Sequence, residues 1–174
     1  MIIAAYAGTG KTTAAKLNPE TVIDFVCMPY KYYLNPIQND MDSETCKANS
    51  DNIMRSDWPF NYVSALKDSL GKNKILLIPT DLNVLSLLQD EKIPYILCYP
   101  QRSAKKIYRK RFIERGNTEE FIEVFIGGWD RYLVALEEDT YGKQIVLENY
   151  QFINDIIEKL RYNYYNKYQQ KTRI

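Results

Sequence analysis

Histidine is absent from this chain of 174 residues, and its three cysteines, Cys27, Cys46 and Cys98, lie far apart. No two of them have the C-x-x-C spacing that is typical of zinc sites, and a catalytic Cys–His pair has no histidine to draw on. The sequence therefore argues against both kinds of site. An odd number of widely spaced cysteines favours a reducing compartment, in which they remain thiols.

An excess of charge of one sign is also lacking. The chain has 23 Lys and Arg residues against 22 Asp and Glu residues, which gives a formal net charge of +1. This balance indicates no general attraction to nucleic acids or membranes, so any anion site must be built locally from clustered residues. No apolar run approaches the length of a membrane span, and no signal peptide is evident. We expect a cytoplasmic protein without a membrane partner, either a monomer or a homodimer.

Apolar segments alternate with helical patterns along the chain. The segments with the composition of buried strands are residues 2–5, 21–26, 74–79, 93–99 and 143–147. Helical spacing of apolar residues between them predicts one α/β domain over residues 1–174, with a parallel sheet covered on both faces. In such sheets ligands bind beyond the carboxyl ends of the strands. A polar, irregular stretch at about residues 35–60 is predicted to be an insertion.

A glycine-rich segment follows the first predicted strand. The window from Ala5 to Thr12 matches the phosphate-binding pattern G-x-x-x-x-G-K-[ST] except at Ala5, where glycine is usual. Gly8 and Gly10 allow the backbone N–H groups to face a phosphate, Lys11 can reach the β and γ phosphates, and the Thr12 hydroxyl can bind Mg²⁺. The predicted nucleotide-binding residues are Ala7, Gly8, Thr9, Gly10, Lys11, Thr12 and Thr13.

A strongly basic helix is predicted after the fourth strand. Arg111 and Arg115 share one face of it, with Lys105 beside them. Phosphoryl transfer requires positive charge around the oxygens of the moving group, and the planar fork of arginine can hold two of them. We therefore predict catalytic roles for Arg111 and Arg115 and a supporting, substrate-binding role for Lys105. The alternative is a helix face that is simply solvated.

Two acidic residues follow predicted strands, and both fall at the carboxyl edge of the sheet. Asp24 is predicted to orient the acceptor or to bind Mg²⁺ through water. Asp81 suits either a metal site or the N-cap of the next helix. Arg55, in the proposed acceptor region, is predicted to bind substrate.

The chain resembles the P-loop nucleoside and nucleotide kinases, with an adenylate-kinase-like layout. The nearer likeness is to phage and Firmicute proteins of that type, and three stretches carry it: Trp58-Pro59-Phe60-Asn61-Tyr62, Glu114-Arg115-Gly116-Asn117 and Gly128-Trp129-Asp130. The resemblance implies a three-layer fold with a five-stranded parallel sheet in the order 2-3-1-4-5. It also implies a short helical lid at about residues 101–117, and host cytoplasm as the location if the protein is encoded by a phage.

The function that follows from this resemblance is Mg²⁺-dependent phosphoryl transfer from ATP or GTP. The expected acceptor is a nucleoside monophosphate or a related small metabolite. Two alternatives stay open: a kinase acting on a base or hydroxyl within DNA, and a nucleotide-binding or ATP-hydrolysing regulator without an acceptor. Near-zero net charge disfavours DNA, because phosphate contacts normally demand a basic surface.

Overall fold

The computed structural model describes residues 1–34, 50–71 and 74–161, and the elements below belong to these ranges. The strands are β1 (Ile2–Ala5), β2 (Val22–Asp24), β3 (Tyr32–Leu34), β4 (Ser50–Met54), β5 (Ile75–Pro79), β6 (Tyr95–Pro100) and β7 (Lys143–Leu147). The helices are α1 (Lys11–Leu17), α2 (Met28–Lys31), α3 (Phe60–Ser69), α4 (Leu82–Asp90), α5 (Lys105–Glu114), α6 (Glu119–Ile122), α7 (Trp129–Glu137) and α8 (residues 153–161). A 3₁₀ turn (Arg102–Ala104) precedes α5, and a π turn (Glu123–Gly127) precedes α7.

Five strands form one sheet in the order β2-β5-β1-β6-β7, and every neighbouring pair in it is parallel. The predicted α/β class and five-stranded parallel sheet are therefore confirmed. β1 lies in the middle, and each of its residues is at most 1% exposed. Strands that are buried on both faces are continuously apolar, which is why short runs in the sequence were sufficient to locate them. The segment after β1 consequently emerges at the centre of the carboxyl edge of the sheet.

Helices cover both faces of this sheet. Successive residues of β1 point to opposite faces, so Ile2 belongs to one apolar cluster and Ile3 to another. The second cluster receives side chains of α1 and α8, such as Ala14 and Ile157. The first cluster receives side chains of α3, α4, α5 and α7, namely Leu66, Leu88, Phe112 and Leu133. Full burial of side chains of this size contributes about 1.5–3 kcal/mol each before the loss of conformational entropy is counted.

The predicted insertion is partly regular. β3 and β4 form an antiparallel pair in which Tyr32 lies opposite Met54. The backbone N–H of Arg55 extends this pairing by donating to the carbonyl oxygen of Lys31 at 2.9 Å. The composition of β4, which contains Asp51 and Asn52, is unfavourable for a strand, so the pairing partner determines its conformation. Residues 35–49 of the insertion lie outside the described residues.

No helix within the described ranges is both long enough and apolar enough to cross a lipid bilayer.

Candidate functional site

The segment between β1 and α1, residues 6–10, is called the glycine loop below. Gly8 and Gly10 both have positive φ angles, 76° and 89°, in the left-handed region that glycine occupies without strain. Between them Thr9 is fully buried, and its hydroxyl donates to the carbonyl oxygen of Tyr6 at 2.8 Å. Ala5, which replaces the usual first glycine of the motif, is the last residue of β1. Extended backbone suits any residue, so alanine is accommodated at that position.

Helix α5 packs directly on one side of the glycine loop. A Cβ atom added to Gly8 would lie 2.6 Å from Cε1 of Phe112 and 3.3 Å from Cδ1 of Tyr108. Both aromatic side chains are almost completely buried. Glycine is therefore required at position 8 for two reasons, its backbone conformation and the closeness of the ring.

The start of α8 lies on the other side of the loop. A Cβ atom on Gly10 would lie 3.2 Å from Cδ1 of Phe152, and the backbone N–H of Ile153 donates to the carbonyl oxygen of Thr9 at 2.9 Å. The glycine loop is thus held between two helices that are far apart in the sequence. We call this arrangement of Phe112 and Phe152 around the loop the aromatic clamp.

Tyr6, the first residue of the loop, anchors it to the core. Its hydroxyl donates to the carbonyl oxygen of Phe125 at 2.9 Å, and burial raises its pKa, so that it remains a neutral donor. Its ring makes edge-to-face contacts, with centroids 5.4–6.0 Å apart, to Tyr108, Phe125, Trp129 and Tyr132. Pairs of this geometry stabilise a core beyond the area that they bury.

The Lys11 ammonium group turns back onto the loop. Its Nζ donates to the carbonyl oxygen of Ala5 at 2.8 Å and to that of Tyr6 at 3.2 Å. Burial lowers the pKa of Lys11, and the negative charge of Asp24 opposes this effect. A lysine in these surroundings gains when an anion replaces the neutral carbonyl groups.

Thr12 and Asp24 form a hydrogen-bonded pair at the carboxyl end of β2. The Thr12 hydroxyl donates to Oδ2 of Asp24 at 2.6 Å. Mg²⁺ prefers oxygen ligands and usually binds one or two carboxylates, several waters and substrate phosphates. This pair fits such an ion. Within residues 1–34, 50–71 and 74–161, no group of three or more His, Cys, Asp or Glu side chains could hold a metal without further ligands.

Arg111 lies beside the glycine loop. Its Nη1 donates to the carbonyl oxygen of Gly8 at 3.3 Å. Its guanidinium carbon lies 4.6 Å from the ring centre of Tyr108 and 4.1 Å from that of Phe152. Two aromatic rings therefore orient the guanidinium group by cation–π contacts. Arg115 follows at the C-cap of α5, and after burial its positive charge also lowers the pKa of Lys11.

Asp81 makes two contacts at the carboxyl end of β5. Its Oδ1 accepts from the backbone N–H of Asn83 at 3.1 Å, which is the N-cap role that the sequence allowed. Its Oδ2 lies 2.7 Å from Nζ of Lys31, and the two side chains are only 16% and 20% exposed. Burial disfavours the charge on Lys31, but the hydrogen bond and the charge of Asp81 raise its pKa overall. The ammonium group also lies 5.2 Å from the ring centre of Trp58.

Two of the predicted substrate-binding residues engage other partners. Lys105 lies 3.3 Å from Oδ2 of Asp130 at the start of α7. Arg55 forms a two-pronged pair with Asp57, with both distances 3.0 Å, on the exposed surface. The structure brings Lys11, Thr12, Asp24 and Arg111 together, but it does not bring Lys105 or Arg55 to the glycine loop.

The sequence did not reveal the parts of Lys31 and Phe152 in this site. Lys31 lies in a short helix among tyrosines, 50 positions before Asp81. Phe152 precedes the last helix and is 43% exposed, which is unusual for a phenylalanine and marks it as a contact residue only once the loop is placed beneath it. Neither position belongs to a periodic pattern or a local motif that could have indicated it.

Comparisons with protein-family models, with curated proteins and with solved structures found no match for this chain. Function is therefore inferred from the geometry of the site.

Proposed function

We propose that the chain is a P-loop phosphotransferase, which binds ATP or GTP at the glycine loop and transfers the γ-phosphoryl group to a nucleoside monophosphate or a related small metabolite. One observation carries the proposal: Lys11, the Thr12–Asp24 pair and Arg111 all meet at this loop. The arrangement of β2, β5, β1, β6 and β7 with helices on both faces supports the P-loop kinase fold that the sequence resembles.

The donor phosphates would bind to the backbone N–H groups of the loop and the first turn of α1. Gly10 at the N-cap offers no side chain to occupy those N–H groups, which leaves them for a ligand. Lys11 would exchange the carbonyl oxygens of Ala5 and Tyr6 for phosphate oxygens. Hydrogen bonds to charged groups contribute about 1.5–3 kcal/mol, against about 1 kcal/mol for neutral pairs, so the exchange favours the bound state.

Thr12 and Asp24 would hold Mg²⁺, directly or through water. The ion supplies charge neutralisation at the β and γ phosphates. Asp81 can join this site through a water molecule if Lys31 withdraws from it. Lys31 therefore keeps a second carboxylate neutralised at the edge of the sheet while no metal is bound.

Arg111 would stabilise the group in transit. The acceptor oxygen attacks the γ phosphorus opposite the bridging oxygen, which leaves with the nucleoside diphosphate as that bond breaks. Arg111 neutralises charge on the remaining oxygens, and Arg115 supports it. A lid that closes over the site was expected, but α5 is already packed on the loop through Tyr108 and Phe112. This packing supports a fixed helix in which only the arginine side chain moves.

Thermal unfolding with ATP and Mg²⁺ tests the donor half of the proposal. Ligand at about 100 times its dissociation constant adds about 2.7 kcal/mol, which corresponds to about 5–10 °C in Tm for a chain of this size. The wild type should show this shift and Lys11→Ala should lose most of it. Lys16→Ala, which removes an exposed lysine from the same helix, should keep it. An equal shift in the wild type and Lys11→Ala would remove the basis of the proposal.

A panel of acceptors with radiolabelled ATP tests the other half. Mononucleotides, nucleosides and duplex DNA are incubated separately, and the labelled product is identified. Label in a mononucleotide supports the proposal. Label in DNA alone favours the DNA kinase, and release of phosphate without any labelled acceptor favours the regulator.

A further inference from the structure

Helix α5 has a second face that phosphoryl transfer does not use. Its inner face, with Tyr108, Phe112 and Arg111, lies on the glycine loop. Its outer face exposes a stripe at positions i, i+3, i+4 and i+7, which we call the outer stripe: Lys106, Arg109, Lys110 and Ile113. These residues, with Glu114, line a shallow depression of about 440 Å³.

Positive charge is concentrated in this segment. Between Arg102 and Arg115 the chain has seven basic residues and one acidic residue, although its total net charge is only +1. The rest of the chain is therefore net acidic. A polyanion that approaches the protein meets one basic surface on an otherwise acidic molecule.

The charges of the outer stripe are poorly compensated. Within the described part of the chain no carboxylate pairs with Lys106 or Arg109, and Lys110 has only a 3.6 Å pair with Glu114 in which both side chains are mostly exposed. The first turn of α5 contains no acidic residue, although Lys106 lies there, where the helix dipole disfavours a cation. Lys106 and Lys110 also repel each other at i, i+4.

The cations outside the stripe are different. Arg102 pairs with Glu137, and Lys105 pairs with Asp130. The stripe thus keeps an electrostatic strain that its neighbours have relieved. A surface that is strained when free and relieved by an anion is suited to binding one.

We propose that the outer stripe binds the phosphate backbone of duplex DNA. Its three cations lie about 5–6 Å apart along one helix face, and a DNA duplex presents one negative charge per about 1.7 Å of its axis. A membrane surface fits less well, because interfacial helices insert an apolar face. The apolar face of α5 is buried in the protein, and on the stripe only Ile113 is left exposed. The proposal does not depend on the kinase activity.

Fluorescence anisotropy with a labelled duplex of about 20 base pairs tests the stripe. The stripe variant replaces Lys106, Arg109 and Lys110 with glutamine, a good helix former. A matched control replaces three exposed lysines elsewhere, Lys16, Lys143 and Lys159, with glutamine, so that the net charge changes equally. We expect the stripe variant to lose at least about tenfold in affinity at about 50 mM salt and the control to stay within about twofold.

The dependence on salt gives a second, quantitative readout. Three neutralised phosphates predict a log–log slope of about −2.7, which is about a 40-fold loss of affinity between 50 and 200 mM salt. The slope should approach zero for the stripe variant. An equal loss in both variants would mean that net charge alone is responsible, and it would overturn the proposal, as would wild-type protein that fails to bind the duplex at 50 mM salt.

Folding and membrane binding are separated by two further measurements. The stripe variant should unfold at the same temperature as the wild type or higher, because it removes like-charge repulsion, so a lost affinity cannot be ascribed to misfolding. Vesicles containing phosphatidylserine should bind the wild type more weakly than the duplex does. Tighter binding to the vesicles would contradict the proposal.

Discussion

Replacing Gly8 with alanine should destabilise the protein in two separable ways. The φ angle of 76° is unfavourable for a residue with a Cβ atom, by about 1–2 kcal/mol. The new Cβ atom would also lie 2.6 Å from Cε1 of Phe112, a buried side chain with little room to move, and overpacking of this kind costs about 1–3 kcal/mol. The sum is about 2–5 kcal/mol, or a fall in Tm of about 5–15 °C for a chain of this size.

Gly116 provides the matched control for this substitution. Its φ angle is 73°, close to that of Gly8, but no atom lies within 4 Å of the position that its Cβ atom would take. Gly116→Ala should therefore show the backbone effect alone, a fall in Tm of about 2–6 °C. Calorimetry on the two variants measures the difference.

The steric part can be isolated further in a double-mutant cycle. Phe112→Leu removes the ring atoms that the new Cβ atom would meet, so Gly8→Ala in that background should lose only as much stability as Gly116→Ala. The coupling between positions 8 and 112 should be about 1–3 kcal/mol. Equal losses for the two glycine variants, or a coupling near zero, would refute the idea that α5 clamps the loop.

Two predictions concern the chemistry of the site. Arg111→Ala should lower turnover with the true acceptor by about a hundredfold or more, with little change in ATP affinity, because the arginine acts on charge that develops during transfer; near wild-type turnover would exclude this role. ATP affinity should fall as the pH rises from about 7 to about 10, because burial lowers the pKa of Lys11 and the neutral amine then forms before an ordinary lysine would lose its proton. Isothermal titration at several pH values measures this, and Lys11→Ala should show a flatter profile; a wild-type affinity that is constant over this range would contradict the prediction.

The sequence was most informative where the chemistry is local. Runs such as Ile75–Pro79 are apolar throughout because both faces of their strand are buried, and they predicted the parallel sheet. The glycine loop could be recognised because Gly8, Gly10 and Lys11 are adjacent in the chain. Strand ends also brought Asp24 to the correct edge, since the carboxyl ends of parallel strands lie together.

Contacts between distant residues could not be predicted in this way. Phe152 meets Gly10 across 142 positions, and Lys31 meets Asp81 across 50, and no periodic pattern records either pairing. The basic helix shows the same limit from another direction. Its charges suggested a lid, whereas its position is determined by the burial of Tyr108 and Phe112, whose partners are known only in the folded chain.

The two tryptophans of the chain lie at opposite parts of the site, which gives the protein two optical reporters of its own. The Trp129 ring lies 5.6 Å from that of Tyr6 in the glycine loop, and the Trp58 ring lies beneath the ammonium group of Lys31. In Trp58→Phe the remaining fluorescence would come from the side of the donor phosphates, and in Trp129→Phe from the side of Lys31 and Asp81. Stopped-flow traces of this pair of variants would time events at the two sides separately and give the order in which they respond to each ligand.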